Sequence, residues 1–368
     1  QREELVYLLV PPIERTRLTV FLCFTVRSVS IVDNSPHFII SPPSAALKVA
    51  MRLPHMMQSP AAKSAIIFAG ASFITGIIAK ILITKMFFDY PIVILMLQMA
   101  TVLFSIELLR VFGVLKLAPY TFDKGRHLFL PSILMSISSW LSVSAYEGIG
   151  LPLFDPVKRL TPLLVLGVST FIYRKQQRLD RNALIALVGV SFLSSMAVNF
   201  ELAMGRFSLF YGLIAGLLHA AAFVQFESLS DTFSPLEMMY MHSFNSLVVF
   251  LLADIVQDEI RDAFMYVMTS SSKTFVFLFI LLMVLGLAIQ YTTFHCIGTN
   301  GALVTSIVAN GRAVFQVMFA YYTSSYLFYD LYPGLINWMS FFGTAGSIYY
   351  FFQKYDLEQW KAIPFTKC

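Results

Sequence analysis

Charged residues are scarce in this chain of 368 residues. They make up 13% of it, whereas hydrophobic residues make up 57% and the mean hydropathy is +0.72. A soluble protein has about a quarter of its residues charged. The composition therefore predicts a protein that crosses the lipid bilayer several times. In such a protein the formal net charge of +5 reflects loop placement, so no nucleic-acid partner is expected.

Several motifs of enzymes and pumps are also missing from the sequence. No glycine-rich phosphate loop ending in Lys-Ser or Lys-Thr occurs, which argues against nucleotide-driven pumping. The six histidines and the three cysteines (Cys23, Cys296 and Cys368) show neither metal-ligand spacing nor a disulfide framework. We therefore expect no catalytic residues, no cofactor and no metal site, and a protein that is not an enzyme.

Ten apolar segments, each close to the roughly 20 residues that cross a bilayer, predict an all-α membrane protein with ten transmembrane helices. We expect residues 1–63 to be a poorly ordered cytoplasmic tail, residues 64–353 a transporter domain and residues 354–368 a second cytoplasmic tail. The ten segments are 64–87, 90–111, 128–149, 152–173, 182–200, 207–228, 236–256, 274–296, 300–327 and 331–353.

The loops predict the orientation of these segments. The stretches 110–127 and 174–181 each contain four Lys or Arg residues, and basic loops stay in the cytoplasm. The loop after the seventh segment is acidic and falls on the opposite side. Both termini are then cytoplasmic. Ten spans divide into two sets of five, and the second set enters the membrane from the opposite side, which predicts a five-plus-five inverted repeat.

Arg312 lies in the apolar run Gly301–Phe328, about 18 Å into the ninth segment. A charge inside the hydrocarbon layer costs a few kcal/mol or more, so it faces a cavity or a partner. We favour contact with an anionic substrate for Arg312 and for the neighbouring Asn310. Gly311, between them, allows another backbone or a ligand to approach closely. The alternative is a structural ion pair with Glu147 or Glu107.

The fourth segment contains Lys158 and Arg159 between two prolines, Pro156 and Pro162. Proline disturbs helical hydrogen bonding, and a broken helix beside charged residues is typical of a transport site. Arginine binds phosphate oxygens bidentately and lysine acts as a point charge. The alternatives are side chains that extend to the lumenal surface, or pairing with Asp155. Lys80, late in the first segment, has the same ambiguity.

Polar residues in the seventh and eighth segments form a second candidate group. Tyr240, His242 and Asn245 at helical spacing, with Gln290, can line a cavity and bind a base or a sugar. Hydrogen bonding between helices is an equal alternative. The small residues Gly343–Gly346 in the tenth segment favour close helix packing or a homodimer contact.

These residues also carry a resemblance to a known family. Residues 65–353 resemble the nucleotide-sugar transporters of the drug/metabolite transporter superfamily, and most of all the UDP-sugar branch of solute carrier family 35. The motifs are Lys80–Thr84, Tyr90-Pro91, Gln98-Met99, Val157–Arg159, Asn300–Leu303, Thr305–Val308 with Arg312, and Gly343–Gly346.

The resemblance implies ten helices with both ends in the cytosol, in the Golgi or endoplasmic reticulum membrane. It also implies an antiporter that exchanges a nucleotide sugar for the nucleoside monophosphate. Arg312 occupies the basic substrate-binding position of the ninth helix, where lysine is usual. Ala79, Met241-His242 and Glu227 depart from the family pattern. A translocator of a phosphorylated metabolite (a sugar phosphate or phosphoenolpyruvate) and a non-transporting membrane scaffold are the alternatives.

Overall fold

The computed structural model describes residues 59–145, 154–172, 179–199, 206–270, 272–323 and 333–355. Within these ranges every regular element is an α-helix, which confirms the all-α prediction. The eleven helices are α1 (Pro60–Met86), α2 (Pro91–Val111), α3 (Phe122–Ser144), α4 (Phe154–Lys158), α5 (Thr161–Phe171), α6 (Arg181–Ala197), α7 (Arg206–Leu229), α8 (Pro235–Gln257), α9 (Glu259–Ser270), α10 (Lys273–Thr323) and α11 (Leu335–Lys354).

Six of the described helices are long and apolar enough to cross a membrane: α1, α2, α3, α7, α8 and the stretch Lys273–Phe319 of α10. Helices α5 and α6 are apolar but shorter. The chain is thus a multi-pass membrane protein by length and composition of its helices. The predicted eighth and ninth segments lie on the single element α10, and the fourth is divided between α4 and α5. Ten spans in an inverted repeat stay a prediction.

The distribution of side chains is that of a protein in lipid. Large apolar side chains face outward, among them Phe104 at 69% exposure and Val256 at 85%. Hydroxyl groups are buried inside, where Ser136 donates to Ser246 at 2.8 Å and joins α3 to α8. In water such an apolar surface would mark an association site, but in a bilayer it faces the lipid chains.

Local signals set where the helices begin. Pro60 follows Ser59, whose hydroxyl accepts the backbone N–H of Ala62 at 3.2 Å. Helix α8 begins with the same Ser-Pro pair, and Ser234 and Glu237 there form a capping box. Serine at the cap and proline in the first turn are the preferred residues, because proline lacks the N–H that the first turn leaves unpaired. The predicted tails 1–58 and 356–368 lie outside the described residues.

Helix α10 is broken at Gly301, where φ is +80° and ψ is 168°. The break divides it into a first arm (273–300) and a second arm (302–323). The Glu227 carboxylate on α7 accepts the Ala302 N–H at 3.1 Å, at the positive end of the second arm. Asn300 donates to the Ala61 carbonyl at 3.0 Å and so ties the break to the start of α1.

The stretch between α8 and α10, predicted as the connection between two spans, contains the short helix α9, which the sequence reasoning missed. Helix α9 is short and amphipathic: Ala263 is buried, whereas Phe264 and Met268 are exposed. Such a helix contains no apolar run of about 20 residues, so apolar length does not predict it. Its Glu259 accepts the Ile92 N–H at the start of α2 at 2.8 Å, and its Tyr266 hydroxyl donates to a carbonyl at the end of α1.

The described helices pack in defined pairs. Helix α1 packs along α10, α6 along α11, α3 along α7, and α2 along α8. Helix α4 and helix α5 both pack against α7. The two short helices that replace the fourth predicted segment therefore both lie against α7, and α5 also packs against α10.

Candidate functional site: a cationic cluster inside the bundle

The fourth predicted segment is broken, as its prolines predict. Helix α4 ends at Lys158 and α5 begins at Thr161, with Pro162 in its first turn. Proline has no N–H to continue the hydrogen bonding of α4, so a new helix starts there. The break leaves Lys158 and Arg159 at the point where the two helices meet, at the end of a helix, where positive charge is favoured.

Both basic residues at the break have protein partners. The Lys158 ammonium donates to the Ser142 hydroxyl on α3 and lies 6.0 Å from the centre of the Phe154 ring. The Arg159 guanidinium forms an ion pair with Asp155 one turn earlier. Its Nε is buried and has no hydrogen-bond partner among the described residues. The pairing with Asp155 that the sequence left open is therefore present.

Arg312 lies on the second arm of α10 and donates from Nη1 to the Gln316 side chain at 2.6 Å. Gln316 in turn packs against Gly76 of α1, where an added Cβ would lie 2.6 Å from the Gln316 amide. The glycine thus gives room to the side chain that holds Arg312. Of the two carboxylates proposed as its partner, Glu107 pairs with Arg110 at 2.8 Å, and Glu147 lies outside the described residues.

Electrostatic interactions connect these residues into one cluster. Asp155 interacts with Arg159, Lys158 and Lys80, and Lys158 also interacts with Arg312. Lys80 on α1 is buried, at 7% exposure. We call Lys80, Lys158, Arg159 and Arg312 the cationic cluster. The structure thus brings together four of the nine residues that the sequence proposed, from α1, the α4–α5 break and the second arm.

A histidine that the sequence reasoning missed belongs beside this cluster. His219 on α7 interacts electrostatically with Lys158, Arg159 and Arg312. Its ring centre lies 4.2 Å from that of Phe223, and its Nδ1 is buried without a hydrogen-bond partner in the described part of the chain. The spacing of the histidines argues against a metal site but does not point to His219. A lone histidine in the middle of an apolar segment was the signal that could have identified it.

Asn310 connects three elements around the cluster. Its amide donates to the Arg159 carbonyl at 2.5 Å and to the Ser194 hydroxyl on α6 at 3.2 Å. It therefore joins the second arm to the α4–α5 break. A backbone carbonyl at a helix break lacks a helical partner, and the Asn310 amide supplies one. Through this contact Asn310 positions Arg159, whereas contact with substrate stays a prediction.

Two of the proposed base-binding residues make hydrogen bonds to other helices and loops. The Tyr240 hydroxyl donates to Glu107 on α2. Asn245 accepts from the Tyr120 hydroxyl at 3.0 Å and donates to the Gly125 carbonyl at 3.1 Å. Burial raises the pKa of the Tyr120 phenol, so it stays protonated as a donor at neutral pH.

His242 and Gln290 also have protein partners. The His242 ring approaches the Ser246 hydroxyl at 3.3 Å and meets the ring of Phe226 edge-on. Gln290 on the first arm accepts from Ser243 at 2.9 Å and donates to the Met99 sulfur at 2.9 Å. The structure thus places all four polar residues in helix–helix contacts. A role in binding base or sugar stays a prediction.

The glycines of the tenth segment serve packing in part. A Cβ at Gly343 would lie 3.0 Å from Leu193 of α6, so this glycine permits the close packing of α11 on α6. At Gly346 nothing lies within 4 Å. Among the described residues, no group of three or more His, Cys, Asp or Glu side chains is arranged to hold a metal ion.

Comparison with known proteins identifies a relative of this chain. No protein-family model matches the chain. Over 312 residues the chain is 27% identical to UDP-galactose/UDP-glucose transporter 7 of Arabidopsis thaliana, and the match covers 80% of this chain and 91% of that protein. This similarity to a protein named as a transporter of two nucleotide sugars confirms the resemblance that the sequence motifs carry.

Proposed function

We propose that the chain is an antiporter that exchanges a cytosolic UDP-sugar for lumenal nucleoside monophosphate. The observation that carries the proposal is the cationic cluster, in which three elements place four basic residues inside the bundle. Buried charges in a membrane protein are expensive and mark the path of a substrate or ion. The diphosphate of a UDP-sugar carries the opposite charge, and two arginines can bind its oxygens bidentately.

The choice of UDP rests on the plant relative, which its name describes as a transporter of UDP-galactose and UDP-glucose. These two nucleotide sugars are therefore the first substrates to test, and UMP is the first counter-substrate. Residence in the Golgi or endoplasmic reticulum membrane, with both termini cytoplasmic, follows from the family resemblance and the basic loops. The proposal also includes a homodimer.

The helix pairing supports alternating access by an inverted repeat. An inverted repeat relates each predicted segment to the segment five positions away in the chain. Under that relation, the pair of segments 2 and 7 maps onto itself, and so does the pair of segments 5 and 10. These are the observed pairs α2 with α8 and α6 with α11. The same relation maps the pair of segments 3 and 6 onto the pair of segments 8 and 1. Both pairs are observed, the first as α3 with α7 and the second as α10 with α1. Two such repeats can rock against each other around a central site.

The proposed transport cycle uses the cluster as the fixed binding site. Substrate accelerates exchange only if it binds the intermediate states of the rocking motion well. The α4–α5 break places polar backbone next to the cluster, which is tolerated in a membrane only where it faces protein or a cavity. Lys158, Arg159 and Arg312 would hold the phosphates, and the returning monophosphate would use the same residues.

The test is exchange in proteoliposomes loaded with UMP, with labelled UDP-glucose or UDP-galactose outside. We expect uptake by the wild-type protein and a loss of at least about 100-fold for Arg312→Ala, because a charge-assisted contact is worth roughly 3 kcal/mol. The matched control is Arg261→Ala, which removes an arginine that is exposed on α9. Normal exchange by folded Arg312→Ala would refute the assignment.

A translocator of a phosphorylated metabolite is the second candidate. The observation in its favour is that Tyr240, Asn245 and Gln290 already have protein partners, so recognition of a base requires them to exchange hydrogen bonds. Inhibition of uptake by UMP but not by inorganic phosphate would decide against it. If no phosphate compound stabilises the folded protein thermally, the scaffold alternative gains, since ligand at 100 times its Kd adds about 2.7 kcal/mol.

A further inference from the structure

Asp155 is an anion built into the cationic cluster. It lies on the five-residue helix α4 and pairs with Arg159 one turn later. It also interacts electrostatically with Lys158 and Lys80. A carboxylate among these cations lowers the cost of collecting positive charge in a membrane protein. The phosphate of a substrate would, however, pair with the same cations.

We infer that Asp155 is an internal competitor for the substrate phosphate: it neutralises the cationic cluster when the site is empty and gives up Arg159 when substrate binds. The inference rests on the proposed function, since it assigns a role within the same binding site. Asp155 would thereby limit the affinity for nucleotides, which keeps the bound substrate able to leave on the other side.

The geometry of the ion pair allows such an exchange of partners. The Asp155 side chain is 45% accessible although it lies among buried cations, and the Arg159 side chain is 13% accessible. An arriving anion can therefore reach the pair from the side of the carboxylate. The Arg159 Nε is buried and has no hydrogen-bond partner among the described residues. This N–H lacks an acceptor in the ion pair with Asp155, and a phosphate that replaces the carboxylate can supply one.

Charge predicts the size of the effect. A carboxylate repels a phosphate that pairs with the same cations, and such a repulsion changes binding by about tenfold. Removal of the Asp155 charge should therefore tighten nucleotide binding about tenfold. The gain should be larger for a UDP-sugar than for UMP if both phosphates lie near the carboxylate. A purely structural ion pair predicts the opposite, because its loss would disorder the cluster and weaken binding.

The experiment compares Asp155→Asn, which keeps the shape and removes the charge, with Asp155→Glu, which keeps the charge. The control is Asp231→Asn, the same chemical change at an exposed position in the loop before α8. The dissociation constants of UMP and UDP-glucose are measured by calorimetry on purified protein, and exchange is measured in proteoliposomes. We expect about tenfold tighter binding and slower exchange for Asp155→Asn alone.

The outcomes separate this inference from the proposed function. If the wild-type protein binds no nucleotide, the proposed function fails and the inference fails with it. If the wild-type protein binds and exchanges but Asp155→Asn binds no more tightly, only the inference is overturned. Asp155→Ser, a second neutral variant, must show the same gain. If neither neutral variant folds, the ion pair is required for stability and the inference is wrong.

Discussion

Gly212 on α7 is the position at which the packing of the candidate site can be tested without touching a charged residue. An added Cβ would lie 2.9 Å from the Phe154 carbonyl oxygen, 3.1 Å from the Val157 Cβ and 3.2 Å from the Phe154 Cα. Two of these three atoms belong to the backbone of α4 and cannot rotate away. In Gly212→Ala the whole of α4 must therefore shift, by about half an ångström, and Lys158 shifts with it.

The expected magnitudes follow from two opposing terms. Overpacking in a well-packed interior costs about 1–3 kcal/mol, whereas alanine gains up to about 1 kcal/mol over glycine in a helix. The free energy of unfolding should fall by roughly 0–2 kcal/mol. The exchange rate should fall by a larger factor. A displacement of about 1 Å at a reacting or binding group lowers a rate about 100-fold, so a displacement of half an ångström should lower it about tenfold.

The assay is thermal unfolding of the purified variant together with exchange in proteoliposomes at equal protein. The matched control is Gly167→Ala in α5, where nothing lies within 4 Å of the added Cβ. That variant should be as stable as the wild-type protein or slightly more so, with normal exchange. If Gly212→Ala exchanges as fast as Gly167→Ala, the position of α4 does not control the site and the reasoning is refuted.

Two further variants test the ends of helices. Burial raises the pKa of the Glu259 carboxyl, and the nearby Asp254 and Asp89 raise it further. The folded protein therefore holds the proton more tightly than the unfolded chain. The stability that Glu259 contributes is largest at low pH and is lost as pH rises through the raised pKa. The melting temperature of Glu259→Gln relative to wild type should therefore increase from about pH 4 to pH 7; a constant difference would contradict this. Glu227→Ala should lower the free energy of unfolding by about 1–2 kcal/mol, because the Ala302 N–H loses its carboxylate; an unchanged melting temperature would show that this contact is not needed.

The helical fold was predictable because its signals are local. Apolar length identifies the long helices, and Ser-Pro pairs mark where α1 and α8 begin. The break in the fourth segment follows from Pro156 and Pro162 alone. Helix α9 was missed because its twelve residues are amphipathic and held in place by distant contacts, such as that of Tyr266 with the end of α1. No local pattern contains that contact.

The basic residues of the candidate site were predictable from the sequence, whereas most of their partners were not. Lys158, Arg159, Arg312 and Lys80 were identified because a charge in an apolar segment is costly wherever it lies. Of their partners only Asp155 could be named from the sequence, since Ser142 and His219 reach the cluster from helices that are distant in sequence. The polar residues of the seventh segment show the limit of spacing arguments, because the same spacing suits a ligand and a neighbouring helix.

Glu227 shows how a departure from a family pattern can be explained by the fold. It is one of the residues that depart from the pattern of the nucleotide-sugar transporters that the sequence resembles. In the structure its carboxylate begins the second arm, and Arg312 lies about 15 Å further along that arm. Asn310 ties the same arm to Arg159, and Gly76 admits the partner of Arg312. The second arm is thus held at two points, by Glu227 at its start and by the Arg159 carbonyl at the α4–α5 break, while Gly76 leaves room for the side chain that contacts Arg312.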